Sequence, residues 1–169
     1  MGLAFVATNT ISSAVNSVAL VGIETDDVYM VVFHNVGCAT DNKNINFQIG
    51  TSGTADSDSE YDFAFKVLQA TADESNGAGV NASSFTFAPS MGNAEGETLN
   101  GIMFLYNFNN SSAFSFGTIK SIHRNLTPDT FGYQGGFVHT VAEANNSVHF
   151  TAESSSNMDS GTFTLYKVT

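Results

Sequence analysis

The chain has 169 residues, and its formal net charge of −11 comes from 16 acidic residues against 5 lysines and arginines. This length suits one domain, and with only 12% charged residues its surface must be built largely from serine, threonine, asparagine and glycine. Nucleic acids and anionic membranes are both bound through clustered cations, so the charge balance excludes both as partners.

Alternating apolar and polar residues recur along the chain, and this period of two indicates β-strands rather than helices. Ten runs show it, separated by segments rich in asparagine, glycine and serine. We therefore predict an all-β protein, an antiparallel β-sandwich formed as a single domain over residues 1–169. The predicted strands are 17–23, 28–35, 44–50, 61–70, 83–88, 101–108, 113–123, 131–139, 147–152 and 161–168.

Within these runs the alternation predicts which side chains face the core, where most of the 15 phenylalanines must lie. In the last strand, Thr164 and Tyr166 are predicted on the opposite face, against water or a neighbouring chain. The predicted inward rows are Ile45, Phe47 and Ile49; Tyr61, Phe63, Phe65 and Val67; and Phe163 with Leu165.

Turn formers predict the connections between strands. Asn76-Gly77 is the strongest hairpin signal, since both residues tolerate positive φ. Gly135-Gly136 interrupts a strand-like run and predicts a bulge or a tight turn. The longest irregular stretches are expected at 73–79 and 89–100. The remaining predicted turns are Gly92-Asn93, Asn109-Asn110, Asn145-Asn146 and Asp159-Ser160-Gly161.

The densest acidic stretch contains Asp56, Asp58, Glu60 and Asp62. On an extended backbone these alternating residues would share one face, and calcium prefers six to eight oxygen ligands of this kind. The stretch lacks the spacing of an EF-hand loop and precedes a strand, so a solvated acidic rim is the favoured interpretation and a calcium site the alternative.

Other acidic and histidine residues give no catalytic pattern. Glu95 and Glu97 form a second acidic loop, and paired carboxylates could in principle hydrolyse glycosides, but we interpret them as solubilising. Three of the four histidines, His123, His139 and His149, are scattered along the chain, and His34 is considered below. One histidine from each of three subunits could form a metal site, but the pattern does not favour one, and we predict no catalytic residue, metal or cofactor.

His34 and Cys38 could pair as a cysteine–histidine nucleophile. Four residues along a strand separate them by about 13 Å, too far for proton transfer. Cys38 is the only cysteine, which excludes an intramolecular disulfide, and we predict that it is a small buried hydrophobe. The segment MGLAFVATNT has no basic start, so no signal peptide is expected.

Two segments resemble a family of small virion structural proteins from tailed bacteriophages, notably marine ones. They are VYMVVFHNVGCATDNKNINFQIGTSG at 28–53 and SSSNMDSGTFTLYKVT at 154–169. The residues that carry the resemblance are Tyr29, Phe33, Asn35, Val36, Ala39, Thr40, Asp41 and Asn42 in the first, and Asn157, Met158, Ser160, Gly161, Thr162, Phe163, Leu165 and Tyr166 in the second.

The resemblance implies a jelly-roll-like sandwich displayed on the virion, with no catalytic residues. We therefore expect a non-enzymatic capsid decoration (cement) protein, made in the cytoplasm of the bacterial host. Its expected partners are the major capsid protein or other virion proteins and further copies of itself in a homotrimer. The alternative is a tail-fibre or receptor-binding module that recognises host glycans; a small carbohydrate-active enzyme is a more distant one.

Overall fold

A computed structural model describes residues 2–127, 129–153 and 156–169, so residues 154 and 155 of the closing polar run lie outside the described residues. The described ranges contain thirteen strands and no helix. The strands are β1 (Leu3–Thr10), β2 (Ser17–Val21), β3 (Tyr29–Cys38), β4 (Lys43–Thr51), β5 (Thr54–Ala55), β6 (Tyr61–Gln69), β7 (Ser75–Ala82), β8 (Phe85–Met91), β9 (Leu99–Tyr106), β10 (Phe114–Arg124), β11 (Thr130–Ala142), β12 (Ser147–Ala152) and β13 (Met158–Val168).

The strands form two antiparallel sheets that pack face to face. The larger sheet has eight strands in the order β1-β13-β3-β9-β10-β11-β6-β7. The smaller sheet has the order β2-β12-β4-β5, and β8 pairs with β4 beside β5. This arrangement confirms the predicted all-β antiparallel sandwich, and each of the ten predicted strands overlaps an observed one.

Eight of the strands have the connectivity of a jelly roll, a long hairpin folded over itself. The hairpin's nested pairs are β1 with β13, β2 with β12, β3 with β9 and β4 with β8. Successive pairs alternate between the two sheets. Strands β5 to β7 are inserted between β4 and β8, and β10 with β11 between β9 and β12. Four of the inserted strands widen the larger sheet.

Phenylalanine rings fill the space between the sheets. Phe150 of the smaller sheet stacks on Phe163 of the larger at 4.5 Å between ring centroids. Phe47 of the smaller sheet lies 4.7 Å from Phe137 of the larger, with the two rings tilted by 43°. Phe85 links these rings to the inserted part of the large sheet. The predicted inward rows are confirmed: all their members are buried, except Phe63 and Phe65, which are partly buried and pack against the core.

The prediction of a hairpin turn at Asn76-Gly77 is wrong. Both residues lie inside the edge strand β7, paired with Lys66 and Phe65 of β6, and most of the expected irregular stretch 73–79 is therefore strand. A Cβ at Gly77 would lie 2.3 Å from the Phe65 ring. The ring covers the strand at this point, so glycine here provides room for an aromatic side chain rather than a turn.

Gly135-Gly136 is neither a bulge nor a turn. Both residues lie in regular register between β10 and β6, and Cβ atoms there would come within 2.3 Å of the Ala64 carbonyl oxygen and 2.4 Å of the Gly117 carbonyl oxygen. These glycines allow close approach of neighbouring strands. The turn predicted at 159–161 is instead a register shift within β13, where Gly161 has a φ of 112°.

The contacts of Phe150 with other phenylalanine rings lead to a stability prediction. Phe150 contacts the rings of Phe33, Phe47, Phe87 and Phe163, and Phe150→Ala should lower the free energy of unfolding by about 3–5 kcal/mol because it leaves a cavity. Val21→Ala, on the exposed face of the adjoining strand β2, should cost less than about 1 kcal/mol. Urea denaturation of both variants checks this, and equal losses would contradict a core centred on Phe150.

Candidate functional site

The sequence suggested that the acidic stretch could lie on one face of an extended backbone, but in the structure it does not. Between β5 and β6 the chain bends: the Asp58 amide donates to Asp56 Oδ1 at 2.8 Å, and the Glu60 amide donates to the Asp58 carbonyl oxygen at 2.9 Å. Asp62 lies beyond the bend in β6, where its Oδ1 accepts a hydrogen bond from the Asn81 amide at 2.8 Å. The four predicted residues are thus divided between two places.

His139, near the end of β11, contacts the carboxylates of this bend. Its side chain is fully buried, with Nε2 2.9 Å from Asp56 Oδ2 and 3.1 Å from Glu60 Oε2. On the other side of the ring, Nδ1 lies 4.0 Å from Glu143 Oε1 and has no hydrogen-bond partner. We call Asp56, Glu60, His139 and Glu143 the histidine–carboxylate cluster.

Backbone pairing fixes the cluster's parts. The register of β6 and β11 places His139 opposite Tyr61, and the Thr140 amide donates to the Glu60 carbonyl oxygen at 2.9 Å. The Tyr61 hydroxyl donates to the Asp56 carbonyl oxygen at 3.0 Å and accepts from the Ile49 amide. Burial raises the pKa of Tyr61 far above its usual range, so this hydroxyl remains a donor.

The cluster can bind a cation or a proton, because three carboxylates surround one imidazole. One ligand atom each from Asp56, His139 and Glu143 lies within 4.8 Å of the others. Sequence reasoning missed Glu143 and treated His139 as one of several scattered histidines. The available signal was weak: His139 and Glu143 are four residues apart at a strand end, but Asp56 is 83 residues away from His139 along the chain.

The second acidic loop lies apart from this cluster. The Glu97 carboxylate is largely buried and accepts a hydrogen bond from the Ala94 amide at 2.9 Å, so it closes its own loop. Glu95 is exposed, and both residues line a depression shared with Asp159. The irregular segment here is shorter than the predicted 89–100, because β8 continues to Met91 and β9 begins at Leu99.

Cys38 is the predicted small buried hydrophobe. It is 1% exposed, and burial raises the pKa of its thiol to about 12, which disfavours the nucleophilic thiolate. His34, on the same strand, is exposed on the outer face of the large sheet. The two side chains therefore have different environments, consistent with the expectation that they do not act as a pair.

His123 and His149 are also buried, without carboxylate partners in their hydrogen bonds. The His123 ring stacks near those of Phe131 and Tyr133, and its Nε2 donates to the Pro89 carbonyl oxygen at 3.1 Å. His149 Nε2 lies 3.1 Å from Ser147 Oγ. Burial lowers the pKa of both, to about 4 for His123. Both imidazoles are neutral core groups.

The outer face of the large sheet carries an unusual number of exposed apolar side chains. In β10 the alternation is complete, with Phe116 and Ile122 pointing outward at 43% and 51% exposure. Small residues in the neighbouring strands, such as Ala64 and Gly136, leave an open apolar depression beside Phe116. The outward residues of this face include Met30, Val32, Ala64, Leu68, Ile102, Phe104, Phe116, Thr118, Lys120, Ile122, Val138, Thr164 and Tyr166.

The large sheet also differs from the rest of the chain in charge. Its eight strands contain four of the five basic residues of the chain, Lys66, Lys120, Arg124 and Lys167. They contain only two of the sixteen acidic residues, Asp62 and Asp159. These strands are thus less acidic than the chain as a whole, whose net charge is −11, although Lys66 and Lys167 form ion pairs with Glu74 and Asp27 outside the strands. Negative charge is concentrated elsewhere, so this face can approach another acidic surface with reduced repulsion.

His123 generates a pH prediction. Its pKa is about 4 in the folded chain and near 6.5 in the unfolded chain, so the unfolded state binds more protons between these values. The free energy of unfolding should therefore be unaffected by this group above about pH 6.5, and should lose roughly 3 kcal/mol as the pH falls towards 4. Urea denaturation from pH 4 to 7 should show a shallower dependence in His123→Gln; parallel curves would contradict the assignment.

Comparison with family models, with curated proteins and with solved structures yields no match for this chain. Across the described ranges, no helix is long and apolar enough to cross a membrane. The outer face of the large sheet and the histidine–carboxylate cluster are the two features whose chemistry points to a function.

Proposed function

We propose that this chain is a non-enzymatic structural protein of a phage virion, a capsid decoration protein that forms a homotrimer on the outside of the head. The observation that carries the proposal is the outer face of the large sheet, where exposed phenylalanine and isoleucine side chains surround shallow apolar depressions. Contiguous apolar surface of this kind is typical of a protein–protein interface.

A second copy of the same chain is the occupant that the charges favour. Two chains of net charge −11 repel each other unless they meet through surfaces that lack acidic groups. The strands of the large sheet contain only two acidic residues, Asp62 and Asp159, and Thr8 and Thr10 at its edge share hydrogen bonds with Thr164 and Thr162. Identical chains that associate in this way usually form closed assemblies, and the proposed trimer is one of these.

The acidic remainder of the surface suits the outside of a particle. Exposed carboxylates keep a protein soluble at high local concentration and oppose contact with packaged DNA. A non-enzymatic role is also supported by the state of the candidate nucleophile, because Cys38 is buried and protonated. The resemblance of segments 28–53 and 154–169 to phage virion structural proteins supports the same proposal.

The test uses virions that lack the protein. Phe163→Ala combined with Leu165→Ala removes two fully buried side chains, and at about 2–5 kcal/mol each the loss is comparable to a domain's whole stability. The double variant should not fold or attach. We expect such virions to assemble and adsorb to host cells at the normal rate but to lose infectivity faster on heating.

The control is a virion carrying Val21→Ala, which changes an exposed side chain on the other sheet and should behave as the unmodified particle does. Heat-resistant virions that fail to adsorb would overturn the decoration proposal and support a tail-fibre or receptor-binding module instead. Cleavage of a host glycan by the purified protein would overturn the non-enzymatic assignment.

A further inference from the structure

Both ring nitrogens of His139 face carboxylates in a site that excludes water from the imidazole. Nε2 lies within hydrogen-bonding distance of Asp56 and Glu60, while Nδ1 is buried, unpartnered and directed towards Glu143 at 4.0 Å. A neutral imidazole has one N–H donor, so one of its nitrogens presents a lone pair. Buried polar groups without partners are uncommon in proteins. The Nδ1 of His123 is also buried without a partner, but only that of His139 faces a carboxylate among the described ion pairs, and this makes it a candidate ligand atom.

The charge of the cluster points to the same conclusion. Asp56, Glu60 and Glu143 supply three carboxylates around one imidazole. Asp58 adds a fourth on the wall of the adjoining groove. A proton on His139 would balance one negative charge, whereas a divalent cation between Nδ1 and Glu143 would balance two and would coordinate the unpartnered nitrogen.

We propose that His139 Nδ1 and Glu143 bind a divalent transition-metal ion of the zinc class, while Asp56 and Glu60 accept from the opposite nitrogen, Nε2, and add negative charge. Zinc is bound in proteins by histidine nitrogen together with aspartate and glutamate oxygen. Calcium and magnesium prefer oxygen ligands alone, so a buried imidazole among the donors selects against them. The inference does not depend on the proposed function, because it concerns a different surface of the chain.

A bound ion would connect parts of the fold that are distant in sequence. Asp56 follows the short strand β5 of the smaller sheet, whereas His139 lies near the end of β11 in the larger sheet and Glu143 directly follows that strand. The ion would therefore fix the imidazole that Asp56 holds from its other side, and through it would link the two sheets at the inserted strands. Its expected role is structural, to hold the bend at 56–60 in place.

The experiment is a zinc titration of the purified full-length chain after treatment with a chelator. Isothermal titration calorimetry should show one zinc ion bound per chain, and zinc should raise the melting temperature, since a ligand of the folded state stabilises it. Calcium and magnesium at the same concentration should produce little change. NMR signals of the His139 ring should shift on zinc addition, while those of His123 should stay in place.

Matched variants locate the site. Glu143→Gln keeps the size of a partly exposed side chain and should fold normally, yet it should weaken zinc binding at least about tenfold. Asp56→Asn should do the same. Asp58→Asn removes an equal charge from the same groove without removing a proposed ligand, and it should weaken binding less than about threefold by electrostatics alone.

Several results would overturn the proposal. One is the absence of saturable zinc binding by the unmodified chain, which would leave a proton as the cluster's only cation. Another is equal zinc affinity in Glu143→Gln and the unmodified chain, or a His139 ring signal that zinc does not move. Tighter binding of calcium than of zinc would instead indicate an oxygen-only site at the acidic bend.

Discussion

The packing of phenylalanine rings between the two sheets is the interaction on which the rest of this structure depends. Phe150 and Phe163 stack across the interface at 4.5 Å, and Phe47 meets Phe137 at 4.7 Å, so rings from both the jelly-roll strands and the inserted strands share one core. Side chains alternate along a strand, and a slip of one residue would expose these rings. The core therefore also determines which side chains lie outside.

Both candidate surfaces follow from that constraint. Because Phe163 and Leu165 are buried, Thr164 and Tyr166 must face outward, and the same alternation in β10 presents Phe116. Burial of Phe137 in β11 sets the register that brings His139 opposite Tyr61 at the start of β6. The bend that carries Asp56 precedes β6 directly, so the histidine–carboxylate cluster is a consequence of how the inserted strands pair.

The sequence predicted the features that depend on local alternation and missed those that depend on distant neighbours. Ten strands and their inward rows were recognisable because apolar residues recur at every second position. Strand β7, at the edge of the large sheet, was not recognisable, because its glycines are explained only by the rings of Phe63 and Phe65 that lie over them. Strand β1 is mostly exposed and shows no buried row. The cluster around His139 joins that residue to Asp56, 83 positions away, which no local pattern can reveal.

The central claim is that the outer face of the large sheet is covered by copies of the same chain. Its most direct test is the mass of the purified protein by multi-angle light scattering, for the unmodified chain and for Phe116→Lys. We predict three times the chain mass of 17.9 kDa for the unmodified protein and a single chain for Phe116→Lys, because a buried, unpaired charge disrupts an interface. Val21→Lys, exposed on the other sheet, should remain a trimer. A monomeric unmodified protein, or a trimer that Phe116→Lys leaves intact, would contradict the account.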